Sequence, residues 1–382
     1  MVSPVWNKSY REHSIVGSTP LQTREAADAA VRAAGWRAPY FVDADHITRV
    51  TVEAFLDASD FYTIDVADAI GRRPGESALR SFVAKNERFI GKTVGGGLEL
   101  AANAQGLKEI GLRYLEPTRE AAETYRFVRS RRGARPFVTE VSMDETDTPQ
   151  SPQELFFILS ALAAEGVDLQ TVAPRFSGRF NKGVEYVGDA ARFEREFGDD
   201  VAAVGAARSE FGLDASLKLS VHSGSDKFAI YPAIRRVLER TGAGVHLKTA
   251  GTTWLEELIG LAEAGGEGLR IAAEVYRSAF GRCEELCKPY AAVIDVDRSC
   301  LPPPDVVSAW DGPTYAAALR HDPTCTAYNP SFRQLLHVSY RVAAEMGQRF
   351  LDALEGCRAA VARNVRDNLL LRHIEPLFLR QA

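Results

Sequence analysis

The stretch Leu219-Ser-Val-His-Ser-Gly-Ser-Asp-Lys-Phe228 and its successor Gly244-Val-His-Leu-Lys-Thr-Ala-Gly251 decide the fold. Each begins as a short apolar strand and ends in a histidine and a lysine. A helix-like stretch, residues 231–240, separates them, and this spacing is typical of one parallel βα unit. Because parallel strands end at a common edge, the pattern predicts two imidazoles and two ammonium groups in one cleft.

The same pattern of an apolar run that ends in polar residues recurs along the chain. We expect about seven strands, each followed by a helix or by a loop and a helix. These runs are residues 38–46, 61–68, 136–143, 168–173, 219–222, 244–248 and 291–297. Polar residues at the C-terminal strand ends are typical of a TIM-like (β/α)8 barrel. A doubly wound open sheet is the alternative.

The 382 residues are enough for one large domain, and apolar residues make up 46% of them. We expect a single barrel domain over residues 1–382, with extra N-terminal and C-terminal helices. Residues 1–38 would form a lead-in, and residues 330–382 a helical segment packed on the barrel. The glycine-rich segment 91–99 lacks both the P-loop and the Rossmann order, so we interpret it as a turn or a helix opening.

Composition argues against several classes of protein. A net charge of −5 without a block of like charge does not favour a nucleic-acid binder. The chain has no apolar run long enough for a membrane span and no signal-peptide pattern, so we expect a cytoplasmic protein without membrane contact. The five cysteines include no CxxC pair, which indicates reduced thiols.

The strand ends indicate a site for a divalent metal ion. His222, His246 and a carboxylate from Asp144 or Glu140 would form a two-histidine, one-carboxylate site with open positions. Such an ion acts as a Lewis acid on a carbonyl and its neighbouring hydroxyl. The competing use of these strand ends is a Schiff-base aldolase built on Lys248, which requires a lysine with a lowered pKa.

Cations follow the strand predicted at 168–173, in the loop Pro174-Arg-Phe-Ser-Gly-Arg-Phe-Asn-Lys182. Arginine and lysine side chains in such a loop suit a carboxylate or a phosphate, although an exposed basic loop would look the same. His337 lies in the C-terminal helical segment. It could belong to the core or reach a pocket, and we favour the core.

Seven motifs resemble those of the tagaturonate epimerase family. They are Val42-Asp-Ala-Asp-His-Ile47, Ser59-Asp-Phe-Tyr-Thr-Ile-Asp-Val-Ala-Asp68, Glu140-Val-Ser-Met-Asp-Glu-Thr-Asp-Thr-Pro149, Ala173-Pro-Arg-Phe-Ser-Gly-Arg-Phe-Asn-Lys-Gly-Val184, Leu219–Phe228, Val245–Gly251 and His337-Val-Ser-Tyr-Arg-Val-Ala-Ala-Glu-Met-Gly347. The resemblance covers the chain from about residue 40 onward. Two departures are the shorter chain and Arg341, where the family pattern has lysine.

This resemblance implies a metal-dependent interconversion of tagaturonate and fructuronate, with inversion at carbon 4 in ketose numbering. Similar enzymes act on the neutral ketoses tagatose and fructose. A ketone at carbon 2 does not acidify the hydrogen on carbon 4, so simple proton abstraction would be slow. Retro-aldol cleavage between carbons 3 and 4, rotation and re-addition needs no nicotinamide, for which the sequence has no motif.

On this resemblance we assign a role to each candidate residue. The metal, which could be Zn, Ni, Co or Mn, would be held by Asp144, His222 and His246. The catalytic candidates are Glu140 as base, Lys248 as oxyanion stabiliser and Asp226 as a further acid or base. The substrate-binding candidates are Arg175, Lys182, Lys227, Ser223, Asp45 and His46, although Asp45 and His46, at the end of another strand, could equally join the metal and catalytic set.

Three other functions share these sequence features. One is a 4-epimerase of neutral ketohexoses, and another is a metal-dependent aldolase that releases its fragments. The third is a sugar-acid binding protein, although three acids beside a histidine pair exceed what capture requires. In each case the partner is a small sugar acid or ketose, and a homo-oligomer is compatible with the sequence.

Overall fold

The structure, a computed structural model, describes residues 2–144, 146, 148–249 and 251–379. Its centre is a seven-stranded, all-parallel sheet with the strand order β1-β2-β3-β6-β7-β8-β9. These strands are β1 (Val5–Ser9), β2 (Phe41–Ile47), β3 (Phe61–Asp65), β6 (Val138–Ser142), β7 (Thr171–Ala173), β8 (Lys218–His222) and β9 (Val245–Lys248). The short strands β4 (Thr93–Val94) and β5 (Leu98–Glu99) form a separate antiparallel pair around the glycine-rich segment, which is a turn.

Helices connect the strands and make up the chain after β9. They are α1 (Tyr10–Val16), α2 (Pro20–Ala33), α3 (Glu76–Asn86), α4 (Ala104–Arg132), α5 (Pro152–Ala164), α6 (Ala190–Phe211), α7 (Tyr231–Thr241), α8 (Thr252–Ala264), α9 (Gly266–Gly281), α10 (Cys283–Cys287), α11 (Pro304–Ser308), α12 (Gly312–Leu319), α13 (Pro330–His337), α14 (Tyr340–Met346), α15 (Gln348–Gly356), α16 (Arg358–Arg366) and α17 (Glu375–Phe378). A π-helical segment, Asp367–Ile374, joins α16 to α17. No helix among the described residues is both long enough and apolar enough to cross a bilayer.

The sheet curls into a half-barrel with β1 and β9 as its edge strands. The predicted α/β fold with parallel strands is therefore confirmed, whereas the described residues do not form a closed eight-stranded barrel. The strand order follows the chain order, which rules out the doubly wound alternative, where the order reverses at a switch point.

Two segments differ from the sequence-based expectation. The lead-in contributes a strand, β1, which pairs with β2 along its whole length. The run 291–297 is not a strand, because its backbone groups form hydrogen bonds with a preceding turn and with the loop after β7. Val293 N donates to Tyr290 O, and Val293 O accepts from Lys182 N.

Helix α5 shows how the sequence sets an element boundary. Ser151 is the N-cap, Pro152 is the first helical residue, and the Glu154 side chain accepts from Ser151 N at 2.8 Å, as the sequence predicts. Most of the helix is buried, so these caps satisfy the polar groups at its start while its apolar side chains enter the core.

Apolar side chains form two clusters. The first lies between the sheet and the helices from α3 to α7, and the second lies among the helices from α8 to α15. Side chains of α13 connect the second cluster to the strand-end loops. For example, Arg333 Nε donates to Gly183 O at 2.7 Å.

Candidate active site

The interior of the half-barrel is polar where a closed barrel would pack branched apolar side chains. Strand register places Glu140 beside Thr63 on one side and Thr171 on the other. On the opposite strands, Ser220 pairs with His246, and His222 pairs with Lys248 one layer closer to the strand ends. Inward-facing side chains therefore form a column of acids, hydroxyls, imidazoles and the Lys248 ammonium.

Three side chains converge at the top of this column. One ligand atom each from His46, Asp144 and His222 lies within 4.8 Å of the others. Asp144 Oδ1 is 3.4 Å from His46 Nε2 and 3.1 Å from His222 Nδ1. Ser142 Oγ donates a hydrogen bond to the same carboxylate oxygen and so fixes its position. Two imidazoles and one carboxylate thus come from the ends of β2, β6 and β8.

A buried carboxylate holds the far side of each imidazole. His46 Nδ1 lies 2.8 Å from Asp45 Oδ1, and His222 Nε2 lies 2.7 Å from Glu140 Oε1. When a ring donates an N–H to such a carboxylate, its other nitrogen presents a lone pair. This pairing is typical of metal-binding histidines, because it fixes both the tautomer and the ring orientation.

The residues of this centre fit a divalent metal ion. His222 Nδ1 is buried and has no hydrogen-bond partner in the described part of the chain, although Asp144 Oδ1 is only 3.1 Å away. A shared cation would satisfy both atoms, and this donor set suits Zn, Ni, Co or Mn. His46 also has a φ of +48°, an uncommon conformation for a non-glycine residue, which re-aims its ring at the end of β2.

Charge in the column supports the same conclusion. The carboxylates of Asp43, Asp45 and Glu140 surround the ammonium of Lys248, and that of Asp144 lies at the top of the column. Burial opposes ionisation of Asp144, yet His222 and His46 outweigh it and hold its pKa well below the usual range. When the two imidazoles are neutral, a divalent cation would supply the positive charge that keeps these carboxylates ionised.

Lys248 crosses the half-barrel from the edge strand β9. Its Nζ donates to Asp43 Oδ2 at 2.9 Å, to Asp45 Oδ1 at 2.7 Å and to Thr63 Oγ1 at 2.7 Å. Burial would lower the pKa of this ammonium, but Asp43, Asp45 and Glu140 outweigh it and hold the pKa well above the usual value. A Schiff base requires a neutral amine, so this environment opposes the Schiff-base alternative.

Two residues predicted for the chemistry lie below the converging group. His246 Nδ1 is 2.8 Å from Glu140 Oε2 and 3.0 Å from Ser220 Oγ. Glu140 is fully buried, and Thr171 Oγ1 also donates to it at 2.7 Å. The structure thus brings together Asp144 and His222 as predicted, adds His46, and places His246 against Glu140 instead.

Three predicted residues are buried in other contacts. Asp226 accepts from Arg333 Nη2 at 2.8 Å, within a second polar cluster that also contains His321 and His373. Lys227 Nζ donates to Asn181 O at 2.9 Å. The third, Ser223, donates its Oγ–H to Lys248 O at 3.0 Å. Their side chains stabilise the loop after β8.

Two predicted cations remain partly exposed near the strand ends. Arg175 Nη1 is 3.4 Å from Asp144 O, and Lys182 Nζ lies 5.7 Å above the ring of Tyr290. His337 is buried, as the favoured interpretation expects. It packs against Gly251, where an added Cβ would lie 2.3 Å from His337 Nε2.

Comparison with known proteins gives one consistent result. The family model described as UxaE, tagaturonate epimerase, matches residues 1–350. The tagaturonate/fructuronate epimerase of Thermotoga maritima is 29% identical over 364 residues, which is 91% of this chain and 70% of that protein.

Two crystal structures of fructuronate-tagaturonate epimerase UxaE from Cohnella laeviribosi, complexed with one and with two glycerol molecules, share the fold. Their TM-scores are 0.79 and 0.80, at 27% and 26% identity. The matches cover 97% and 98% of this chain and 75% and 76% of those chains. The protein therefore belongs to the tagaturonate epimerase family and is a carbohydrate epimerase.

Proposed function

We propose that this protein interconverts tagaturonate and fructuronate by inverting carbon 4, with a divalent metal ion held by His46, Asp144 and His222. The observation that carries the proposal is the convergence of these three ligand atoms within 4.8 Å. The hydrogen bonds from the two rings to Asp45 and Glu140 support it. The names of the Thermotoga and Cohnella relatives support the choice of substrate.

The site chemistry favours retro-aldol cleavage and re-addition. Bound at this centre, a divalent ion would supply Lewis acidity toward the substrate carbonyl and its neighbouring hydroxyl. Asp45 and Glu140 each accept an N–H from a ligand imidazole and so keep the lone pair of its other ring nitrogen directed toward Asp144. Lys248 neutralises part of the negative charge of these buried carboxylates. Its three N–H groups already donate to Asp43, Asp45 and Thr63, so none is left for the substrate.

The hydroxyl proton on carbon 4 must be taken up and returned within the site. Glu140, our sequence-based candidate, is fully buried, and its two oxygens accept from imidazoles that line the cleft, so it orients the base and does not contact the substrate itself. The His246 side chain is 13% exposed and that of His222 only 6%. We therefore assign the proton transfer to His246: its Nε2 takes up the hydroxyl proton and returns it, while Glu140 accepts from Nδ1 and holds the ring in place.

The test compares His46→Ala with His246→Ala, a matched imidazole deletion in the same column. Each protein is stripped with a chelator and reloaded, bound metal is counted by elemental analysis, and turnover of tagaturonate is measured. We expect His46→Ala to lose both metal and turnover. His246→Ala should keep the metal and lose turnover.

Three outcomes would contradict the proposal. Metal loss in His246→Ala with retention in His46→Ala would overturn the ligand assignment. Release of free three-carbon products would indicate an aldolase. Turnover of tagatose but not of tagaturonate by the metal-loaded wild-type protein would indicate a neutral-ketose epimerase.

A further inference from the structure

We propose that Arg11 and Lys182, both held over the ring of Tyr290, form the subsite for the substrate carboxylate and select a sugar acid over a neutral ketose. This inference rests on the proposed function and deepens it. Arg11 lies in α1 and carries no sequence signal of a functional role, so only the folded structure brings it to this position.

Two cations share one aromatic ring. Arg11 Cζ lies 5.1 Å from the centroid of the Tyr290 ring, and Lys182 Nζ lies 5.7 Å from the same centroid. Tyr290 is buried, and its hydroxyl lies 2.8 Å from that of Tyr340 in α14. The ring is therefore a fixed support, and the cation–π attraction keeps both charges beside it.

Neither cation is neutralised by a neighbour. Within the described ranges of the chain, no carboxylate forms an ion pair with Arg11 or with Lys182. Arg179, in the same loop as Lys182, shows the contrast because it is paired with Asp295. Two like charges beside one ring, neither of them paired with a carboxylate, attract an anion.

Both cations stand at strand ends that belong to the metal centre. Ser9, two residues before Arg11, pairs in register with Asp45, the hydrogen-bond partner of His46. Two residues span roughly 7 Å at most, which places Arg11 at the rim of the cleft.

Lys182 reaches the same rim from the loop after β7. An added Cβ at Gly224, two residues after His222, would lie 3.8 Å from Lys182 Cγ. The Ser225 hydroxyl accepts from Gly183 N at 2.9 Å and so ties the two loops together. Arg11 therefore follows the C-terminal end of β1, and Lys182 lies against the loop after β8, so both cations belong to segments at the strand ends that carry the candidate metal ligands.

This arrangement distinguishes the two substrate classes chemically. A hexuronate carries a carboxylate where the ketohexose carries a neutral hydroxymethyl group, and only the carboxylate gains charge-assisted hydrogen bonds from both cations. Loss of one such bond is expected to reduce affinity for the acid by about tenfold or more. The neutral sugar should be unaffected.

The test uses Arg11→Met and Lys182→Met, each alone and combined, in the metal-loaded full-length protein. Arg179→Met is the control, because it removes the same charge from the same loop at a residue that is already paired. Calorimetric affinity for galactonate and for galactitol is measured beside kcat/KM for tagaturonate. Thermal melting checks that each variant is folded.

We expect about a tenfold loss of galactonate affinity in each single variant and a larger loss in the double variant, with galactitol unchanged. Arg179→Met should match the wild-type protein. Equal affinity for galactonate in the double variant and the wild type would overturn the subsite. An inactive wild-type protein that still prefers galactonate, and loses this preference in the double variant, would refute the proposed reaction and support the subsite.

Discussion

Replacing Lys248 by methionine tests whether the polar column depends on the ammonium of this residue. Methionine preserves the length and most of the volume of the side chain, but it removes three hydrogen bonds, two of them to the buried carboxylates of Asp43 and Asp45. Breaking a buried ion pair on one side costs about 3–5 kcal/mol, because the remaining charge stays uncompensated. We expect a loss of this size in the free energy of unfolding.

A second effect should appear in metal affinity. Asp45 orients His46, and Glu140, whose Oε1 is 3.4 Å from Lys248 Nζ, orients His222. Loss of a partner that orients a metal-binding histidine weakens metal binding by about 10- to 100-fold. Competition with a chromophoric chelator measures this change, and urea denaturation of chelator-treated protein measures the stability.

Lys218→Met is the matched control for this experiment. Lys218 also belongs to the half-barrel, on β8, and Asp214 and Glu140 attract its ammonium from a distance, but in the described part of the chain it forms no ion pair. We expect it to change the unfolding free energy and the metal affinity little. If Lys248→Met and Lys218→Met gave equal values in both assays, Lys248 would have no special part in supporting the centre.

Two further predictions concern stability around the cleft. Burial lowers the pKa of Lys227 to about 7 from an ordinary 10.5, so between these two pH values the unfolded chain binds more protons than the folded chain and the unfolding free energy rises with pH. Lys227→Met should flatten this rise, as measured by urea denaturation at several pH values between 7 and 10.5. An unchanged pH dependence in the variant would contradict the prediction. Gly251→Ala should lower the melting temperature and cost about 1–3 kcal/mol, because φ is +84° and the new Cβ would lie 2.3 Å from His337 Nε2. If the Gly251→Ala variant melted at the same temperature as the wild-type protein, the contact between Gly251 and His337 would not be tight.

The sequence predicts most strands of the sheet, because polar residues mark the C-terminal end of each of these apolar runs. Apolar runs followed by acids, histidines or cations became β2, β3 and β6 to β9. The run 291–297 has the same composition, but its backbone forms a hydrogen bond with the loop that contains Lys182 instead of pairing with a strand. The choice between these two partners depends on tertiary contacts. Strand β1, with the sequence Val-Trp-Asn-Lys-Ser, lacks both an apolar run and alternation, so it gives little local signal.

The candidate metal site was only partly predictable, for a reason of register. His222 and His246 occupy similar local sequences, yet His222 pairs with Lys248 while His246 pairs with Ser220, one layer lower. Register depends on contacts between strands that are distant in sequence. His46 belongs to the same class of strand-end residues, but its selection as a candidate ligand depends on a backbone turn at +48° that the sequence does not reveal.

The cross-barrel contact of Lys248 has a consequence for the order of events during synthesis. The strands pair in the order in which they leave the ribosome, so the sheet can grow from its N-terminal edge. The bonds from Lys248 to Asp43 and Asp45, however, join residues 205 and 203 positions apart. A nascent chain that ends before β9 would already carry His46, Asp144 and His222, but it would lack the ammonium that pairs with Asp43 and Asp45 behind them. The supporting frame of the centre is therefore complete only after the last strand has docked.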